Sequence, residues 1–222
     1  MNVNENRDYT VIVDCSGSMS TEDGGVRRNL SRWKAAEEGT CAAAREVAKL
    51  DPDGITVYDF SDSFHRYENQ TPDKVAQIFT TRKPGGSTEL GAVLNDALNG
   101  PQGYLTRKRA GQTKSGETVL IVTDGEPNNQ AEVATVIRNA TQKLETQQEL
   151  SLIFVQVGHD NRATAFLRQL DTSLSGAKFD IVSVVTSEDL GTRDLGEVLA
   201  SAVLEGNVSP SAPAQSNGQA MA

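Results

Sequence analysis

Asp14, Ser16 and Ser18 alternate along Asp14-Cys15-Ser16-Gly17-Ser18, so a carboxylate and two hydroxyls occupy every second position. Alternate side chains of an extended segment project to one side, which gathers the three oxygens on one face. Two further oxygen donors stand far along the chain: Thr88, reached through Gly85-Gly86-Ser87, and Asp124, followed by Gly125. None of the five is a soft ligand. Such a set suits a hard cation, Mg²⁺ first, with Mn²⁺ or Ca²⁺ as alternatives, and matches zinc or copper poorly. Asp14 and Asp124 would neutralise a divalent ion, while the hydroxyls of Ser16, Ser18 and Thr88 fill most of its shell and leave one position open. A charge-balanced ion with a free position can accept a carboxylate from a partner, because the incoming anion meets no surplus of negative ligands.

Taken singly, each residue has an ordinary alternative. Ser16 and Ser18 can be turn hydroxyls, Thr88 a helix N-cap, and Asp124-Gly125 a turn. What favours the metal is their joint placement, which the surrounding elements must provide. Apolar, β-branched runs alternate with helical stripes along the chain, the pattern of strands joined by crossover helices. The run 9–13 stops at Asp14, and the nearly uniformly apolar run 118–123, suited to a strand covered on both faces, stops at Asp124. Further strands are predicted at 55–60, 150–157 and 179–185, with a short edge strand at 63–67. Helices are predicted at 31–50, 71–79, 90–98, 131–146, 162–170 and 195–204 from apolar steps of three and four. Residues 100–116 read as a loop or a frayed helix end. The order predicts an α/β protein: a doubly wound, mostly parallel open sheet of about six strands, Rossmann-like, with helices on both faces. Ligands of such sheets sit beyond the carboxyl ends of the strands, where the winding reverses. That places the chemistry in the loops at 14–20 and 124–129.

Composition narrows the function. The 222 residues carry 21 Lys+Arg against 30 Asp+Glu, a formal charge of −9, which argues against broad electrostatic binding to nucleic acid or an anionic membrane. Residues 1–206 form one domain in this reading, and 207–222, without apolar period, a disordered tail. Cys15 and Cys41 belong to no CxxC or zinc spacing, and a reducing compartment is the simpler expectation. The polar N-terminus lacks an apolar leader core, and no stretch approaches the roughly 18 apolar residues of a membrane span, so a cytoplasmic protein is expected. Cys15 reads as a small buried residue, His65 and His159 as surface residues, and Glu126 and Asn128 as residues at the rim of the site.

Asp14-x-Ser16-x-Ser18, Thr88 and Thr123-Asp124-Gly125 resemble the metal-ion-dependent adhesion site of the von Willebrand factor A (VWA) domain family, with the order of elements similar over about residues 8–205. The resemblance implies a divalent-metal-dependent protein–protein interaction module. Ser16, Ser18 and Thr88 would bind the ion directly, Asp14 and Asp124 directly or through water, and a protein partner would offer Asp or Glu to the open position. The chain looks most like stand-alone bacterial intracellular members, including those associated with tellurite resistance, which implies a stress-response or assembly system. A polar, Gly-containing insertion at 19–30, beside the expected metal, is less typical of the family.

The enzymatic rival is a metal-dependent phosphohydrolase using Asp14. Haloacid-dehalogenase-like sites need a second carboxylate two residues later, where this chain has Ser16, and a C-x5-R phosphatase loop starting at Cys15 would need Arg where Thr21 stands. No phosphate-binding G-x4-GK[ST] loop or G-x-S-x-G elbow occurs. A non-enzymatic binding module is therefore the preferred reading, with the oligomeric state left open.

Overall fold

The computed structural model describes residues 7–23, 30–50, 53–113, 116–190, 193 and 195–205. The expected tail, positions 24–29 of the insertion and the helix stop at 51–52 lie outside the described residues.

Strict alternation builds the sheet. In strand β1 (Arg7–Asp14), Val11 and Val13 join one apolar cluster while Ile12 joins another on the opposite side. The remaining strands are β2 (Ile55–Phe60), β3 (Phe64–Gln70), β4 (Gly116–Thr123), β5 (Leu150–Gln156) and β6 (Val182–Val185). They lie in the order β3-β2-β1-β4-β5-β6. Every neighbouring pair is parallel except β2 and the edge strand β3, which run antiparallel. β4 is buried at every position, Glu117 included, as expected of a strand covered on both faces.

The helices are α1 (Arg32–Leu50), α2 (Pro72–Thr81), α3 (Leu90–Asn99), α4 (Tyr104–Arg109), α5 (Gln130–Gln142), α6 (Asn161–Ser173), α7 (Ser187–Leu190) and α8 (Leu195–Glu205). Buried residues of α1, α2 and α8 pack on one face of the sheet, and those of α3, α4, α5 and α6 on the other. The expected doubly wound α/β architecture with six strands is what the chain adopts.

Local expectations differ in a few places. Residues 100–116 contain α4, anchored by buried Tyr104 and Leu105, with Arg107, Lys108 and Arg109 in its last turn, where positive charge complements the helix dipole. Two apolar residues are too few to show a helical period, so the sequence left this segment without an element. The edge strand extends to Gln70 because pairing to β2 gives its polar residues backbone partners that hydropathy does not report. β6 starts only at Val182, since the register to β5 pairs Leu152 with Val182.

Candidate metal centre

β1 and β4 are adjacent in the sheet, and the chain winds outward from them in opposite directions, through β2 on one side and β5 on the other. The crevice at their carboxyl ends is therefore the topological switch point. Asp14 is the last residue of β1, and Asp124 directly follows β4. Both are fully buried.

Beyond Asp14 the chain turns through a single 3₁₀ turn, Gly17–Ser20, after which Thr21 is extended. Met19, the first residue of the polar, Gly-containing insertion, is fully buried in the α1-side core and pins this turn. The loop carrying Thr88 is fastened to this turn by main-chain bonds: Gly85 N donates to Cys15 O at 2.8 Å and Gly17 N to Gly86 O at 3.2 Å. Gly86 adopts φ +82, and a Cβ there would lie 2.5 Å from Asp62 Oδ2. Asp62 in turn accepts from Ser87 N at 2.9 Å and Ser87 Oγ at 2.6 Å. Glycine at 86 thus lets the loop bend close against both neighbours. On its other side, Asn128 N donates to Thr88 O at 3.0 Å, tying the loop after β4 to the same centre.

The side chains converge. Asp14 Oδ1 accepts from Ser16 N at 2.8 Å, and Asp14 Oδ2 accepts from Thr123 Oγ1 at 2.7 Å. The Ser16 and Ser18 hydroxyl oxygens are 3.1 Å apart, and Ser18 Oγ donates to Asp124 Oδ1 at 2.8 Å. Thr88 Oγ1 approaches Gly125, lying 4.0 Å from where a Cβ on that glycine would stand. Asp14, Ser16, Ser18 and Asp124 are thus linked to one another, and Thr88 lies on the neighbouring loop beside Gly125. Burial first, and the neighbouring Asp124 carboxylate second, push the Asp14 carboxyl up to about 6, against the pull of its hydrogen bonds to Ser16 and Thr123.

The donor chemistry fits a hard divalent cation. The buried Asp124 carboxylate stands close enough to disfavour the charge on buried Asp14, and the Ser16 and Ser18 hydroxyls lie beside them, an arrangement that a bound cation would relieve. Among the described residues, no group of three or more His, Cys, Asp or Glu is gathered that could hold a metal, so a cation here depends on the hydroxyls as well as the carboxylates.

Thr123, Arg32 and Asp23 also take part. Thr123 orients Asp14. Arg32, the first residue of α1, donates from Nη1 to Asp124 Oδ2 at 2.8 Å and grips Asp23 through Nε and Nη2 at 2.6 and 2.8 Å. A signal existed: α1 has no acidic residue in its first turn and carries Arg32 and Lys34 there, a placement that opposes the helix dipole unless carboxylates lie nearby. Elsewhere, Cys15 and Cys41 are free and buried, and burial raises the Cys15 thiol to about 11, so it is no nucleophile. His65 sits half-exposed on β3, 3.1 Å from Asp59. Asn128 donates to Glu89 Oε1 at 2.7 Å at the rim of the crevice.

An α/β sheet of this winding, with oxygen side chains gathered beyond β1 and β4, defines a protein with a VWA-like fold. Solved structures agree on the fold. The PilB minor pilin from Streptococcus sanguinis superimposes with a TM-score of 0.60 at 13% identity, over 90% of this chain and 61% of PilB. The manganese-loaded TRAP protein of Plasmodium vivax gives 0.60 at 16% identity, over 90% of this chain and 74% of TRAP. An aerotolerance-related membrane protein from Bacteroides fragilis gives 0.55 at 13% identity, over 88% of this chain and 96% of that protein. This chain spans less than two thirds of PilB, and at these identities the likeness is one of fold. No family model and no curated protein sequence matches the chain. No helix among the described residues is long and apolar enough to cross a membrane.

Proposed function

We propose that Asp14, Ser16, Ser18, Thr88 and Asp124 bind a divalent cation, Mg²⁺ with Mn²⁺ or Ca²⁺ as alternatives, and that a protein partner completes its shell with an Asp or Glu. The observation that carries this reading is the Ser16–Ser18–Asp124 chain of hydroxyl and carboxylate contacts at the switch point, beside a second buried carboxylate. The manganese-loaded state of the TRAP structure, which shares the fold, supports it. The cation supplies a Lewis-acidic position with balanced charge. The chain's own residues orient the ligands: Thr123 and Ser16 N fix Asp14, and Ser18 fixes Asp124.

The module is read as a binding protein. Asp14 is fully buried with both oxygens already engaged, a poor posture for attack on a phosphate ester. The fold neighbours named as pilins, an adhesin and TRAP also favour binding over catalysis. Two free, buried cysteines suit a reducing compartment, in keeping with a cytoplasmic protein. Placement in a bacterial stress-response or assembly system, of the tellurite-resistance kind, rests on the motif resemblance.

Calorimetric titration with Mn²⁺ tests the site: the natural chain is expected to bind, and Ser16→Ala/Ser18→Ala to lose binding. Equal affinity in both rejects the site. Recovery of a bound partner with and without a chelator tests the carboxylate, and unchanged recovery rejects it. Sustained hydrolysis of a generic phosphate ester, abolished by Asp14→Asn, would favour the phosphohydrolase instead.

A further inference from the structure

Arg32 brings a positive charge to a centre read as a cation site. Its side chain is 12% exposed and bonds fully buried Asp124 on one side and 37% exposed Asp23 on the other. The fold makes room for it: Gly158, at φ +74 just beyond β5, passes so close that a Cβ there would lie 2.3 Å from Arg32 Nε. Arg32 N also donates to Thr21 O at 3.0 Å, which brings the segment bearing Asp23 back onto the start of α1.

The charges sharpen the point. Asp14 and Asp124 offer two negative charges to a divalent ion, and an unpaired Arg32 would cancel one of them. Asp23 takes up that charge through two hydrogen bonds, so the four groups together keep two net negative charges. Bidentate pairing of this kind also fixes the plane of the guanidinium, which leaves one N–H donor aimed at Asp124 Oδ2 and Asp124 Oδ1 facing Ser18.

Resting on the metal reading above, we infer that Asp23 tunes the cation affinity of the centre through Arg32, by neutralising a guanidinium that otherwise competes with the ion for Asp124. Asp23 is a positioning residue: it acts on Asp124 through Arg32, and its effect disappears when Arg32 carries no charge. The insertion at 19–30 thereby gains a role at its described end.

The test is a double-mutant cycle read by Mn²⁺ calorimetry on the full chain. Asp23→Asn is expected to weaken Mn²⁺ binding at least about fivefold, and Arg32→Gln to bind as tightly as the natural chain or more tightly. In the Arg32→Gln background, adding Asp23→Asn should change affinity by less than about twofold, and Asp23→Glu alone, which keeps the charge, should stay within about twofold of the natural chain. Metal-free thermal unfolding of each variant confirms that folded proteins are compared. Three results overturn the inference while leaving the metal site standing: no effect of Asp23→Asn, the same loss in both backgrounds, or weaker binding by Arg32→Gln than by Asp23→Asn. Failure of the natural chain to bind Mn²⁺ rejects the site itself and this inference with it.

Discussion

Ser18 donates to Asp124 at 2.8 Å across 106 positions of sequence, joining the turn after β1 to the end of β4. The same carboxylate accepts from Arg32 on its other oxygen, so both of its oxygens are held by groups from the first loop and the first helix. Ser18 orients the oxygen offered to a ligand, which lowers the cost of taking one up, while Arg32 occupies the other oxygen and competes for it.

Ser18→Ala should therefore act twice. Without metal it removes one hydrogen bond to a buried carboxylate, a loss of about 1.5–3 kcal/mol in unfolding free energy. With metal it removes a proposed ligand, so the stabilisation conferred by Mn²⁺, about 2.7 kcal/mol at roughly 100-fold excess over Kd in the natural chain, should largely vanish. Urea unfolding with and without Mn²⁺ separates the two effects. A variant that Mn²⁺ stabilises as much as the natural chain would show that Ser18 contributes nothing to binding.

Gly158→Ala places a side chain where φ is +74 and where Arg32 already lies. Strain of about 1–3 kcal/mol is expected from the backbone alone, and displacement of the guanidinium adds to it. The measurement is the urea midpoint, compared with Gly111→Ala. That glycine also has positive φ, at +69, but nothing lies within 4 Å of its Cβ position. Equal losses in the two variants would mean that the packing of Arg32 on Gly158 is energetically idle.

The placement of Asp14 and Asp124 was legible in the sequence because each ends a run whose apolar pattern marks a strand, and two neighbouring parallel strands present their ends on one side. The glycine-rich approach to Thr88 marks a loop in the sequence, and the structure fastens that loop to the turn after β1. Arg32 and Asp23 were not, because a guanidinium chooses its partners by where a loop closes in space, and no periodicity encodes that. α4 escaped for a different reason: Tyr104 and Leu105 bury it, and two adjacent apolar residues carry no 3.6-residue period. Glu117 illustrates a third limit. It directly precedes the apolar run 118–123, and nothing in the pattern marks it as buried, whereas the structure buries it between Thr10 and Arg107.

That buried glutamate makes a prediction at the far end of the sheet. Glu117 Oε2 accepts from Arg107 at 2.6 Å and Oε1 from Thr10 at 2.7 Å, and burial still raises its carboxyl above the ordinary range. Arg107→Met should cost about 3–5 kcal/mol by leaving the charge unpaired. Adding Glu117→Gln should recover part of that loss, since a neutral amide needs no counter-ion. Mn²⁺ affinity should not change in either variant, because Glu117 lies at the start of β4 and the centre lies beyond its end. Calorimetry and urea unfolding check both halves, and a further loss in the double variant would contradict the unpaired-charge account.

Asp160 caps α6 and gives the fold a pH-dependent contribution. Its Oδ1 accepts from Arg162 N at 2.8 Å and Ala163 N at 3.1 Å. These bonds, Ala163 foremost, hold its carboxyl below the ordinary value of 3.8. The folded chain thus binds this proton less tightly than the unfolded chain, so the stabilisation is complete above the ordinary value and is lost as pH falls below it. Asp160→Ala should cost about 1 kcal/mol at neutral pH. Asp160→Asn keeps an acceptor oxygen at the cap and should cost little there, while removing the acid-dependent part. The stability difference between the natural chain and Asp160→Asn, measured by urea unfolding across the acid range, should shift in favour of asparagine as pH falls through the folded carboxyl's range. A difference that stays constant with pH would mean that the cap acts by shape alone and that the charge on Asp160 contributes nothing to the helix start.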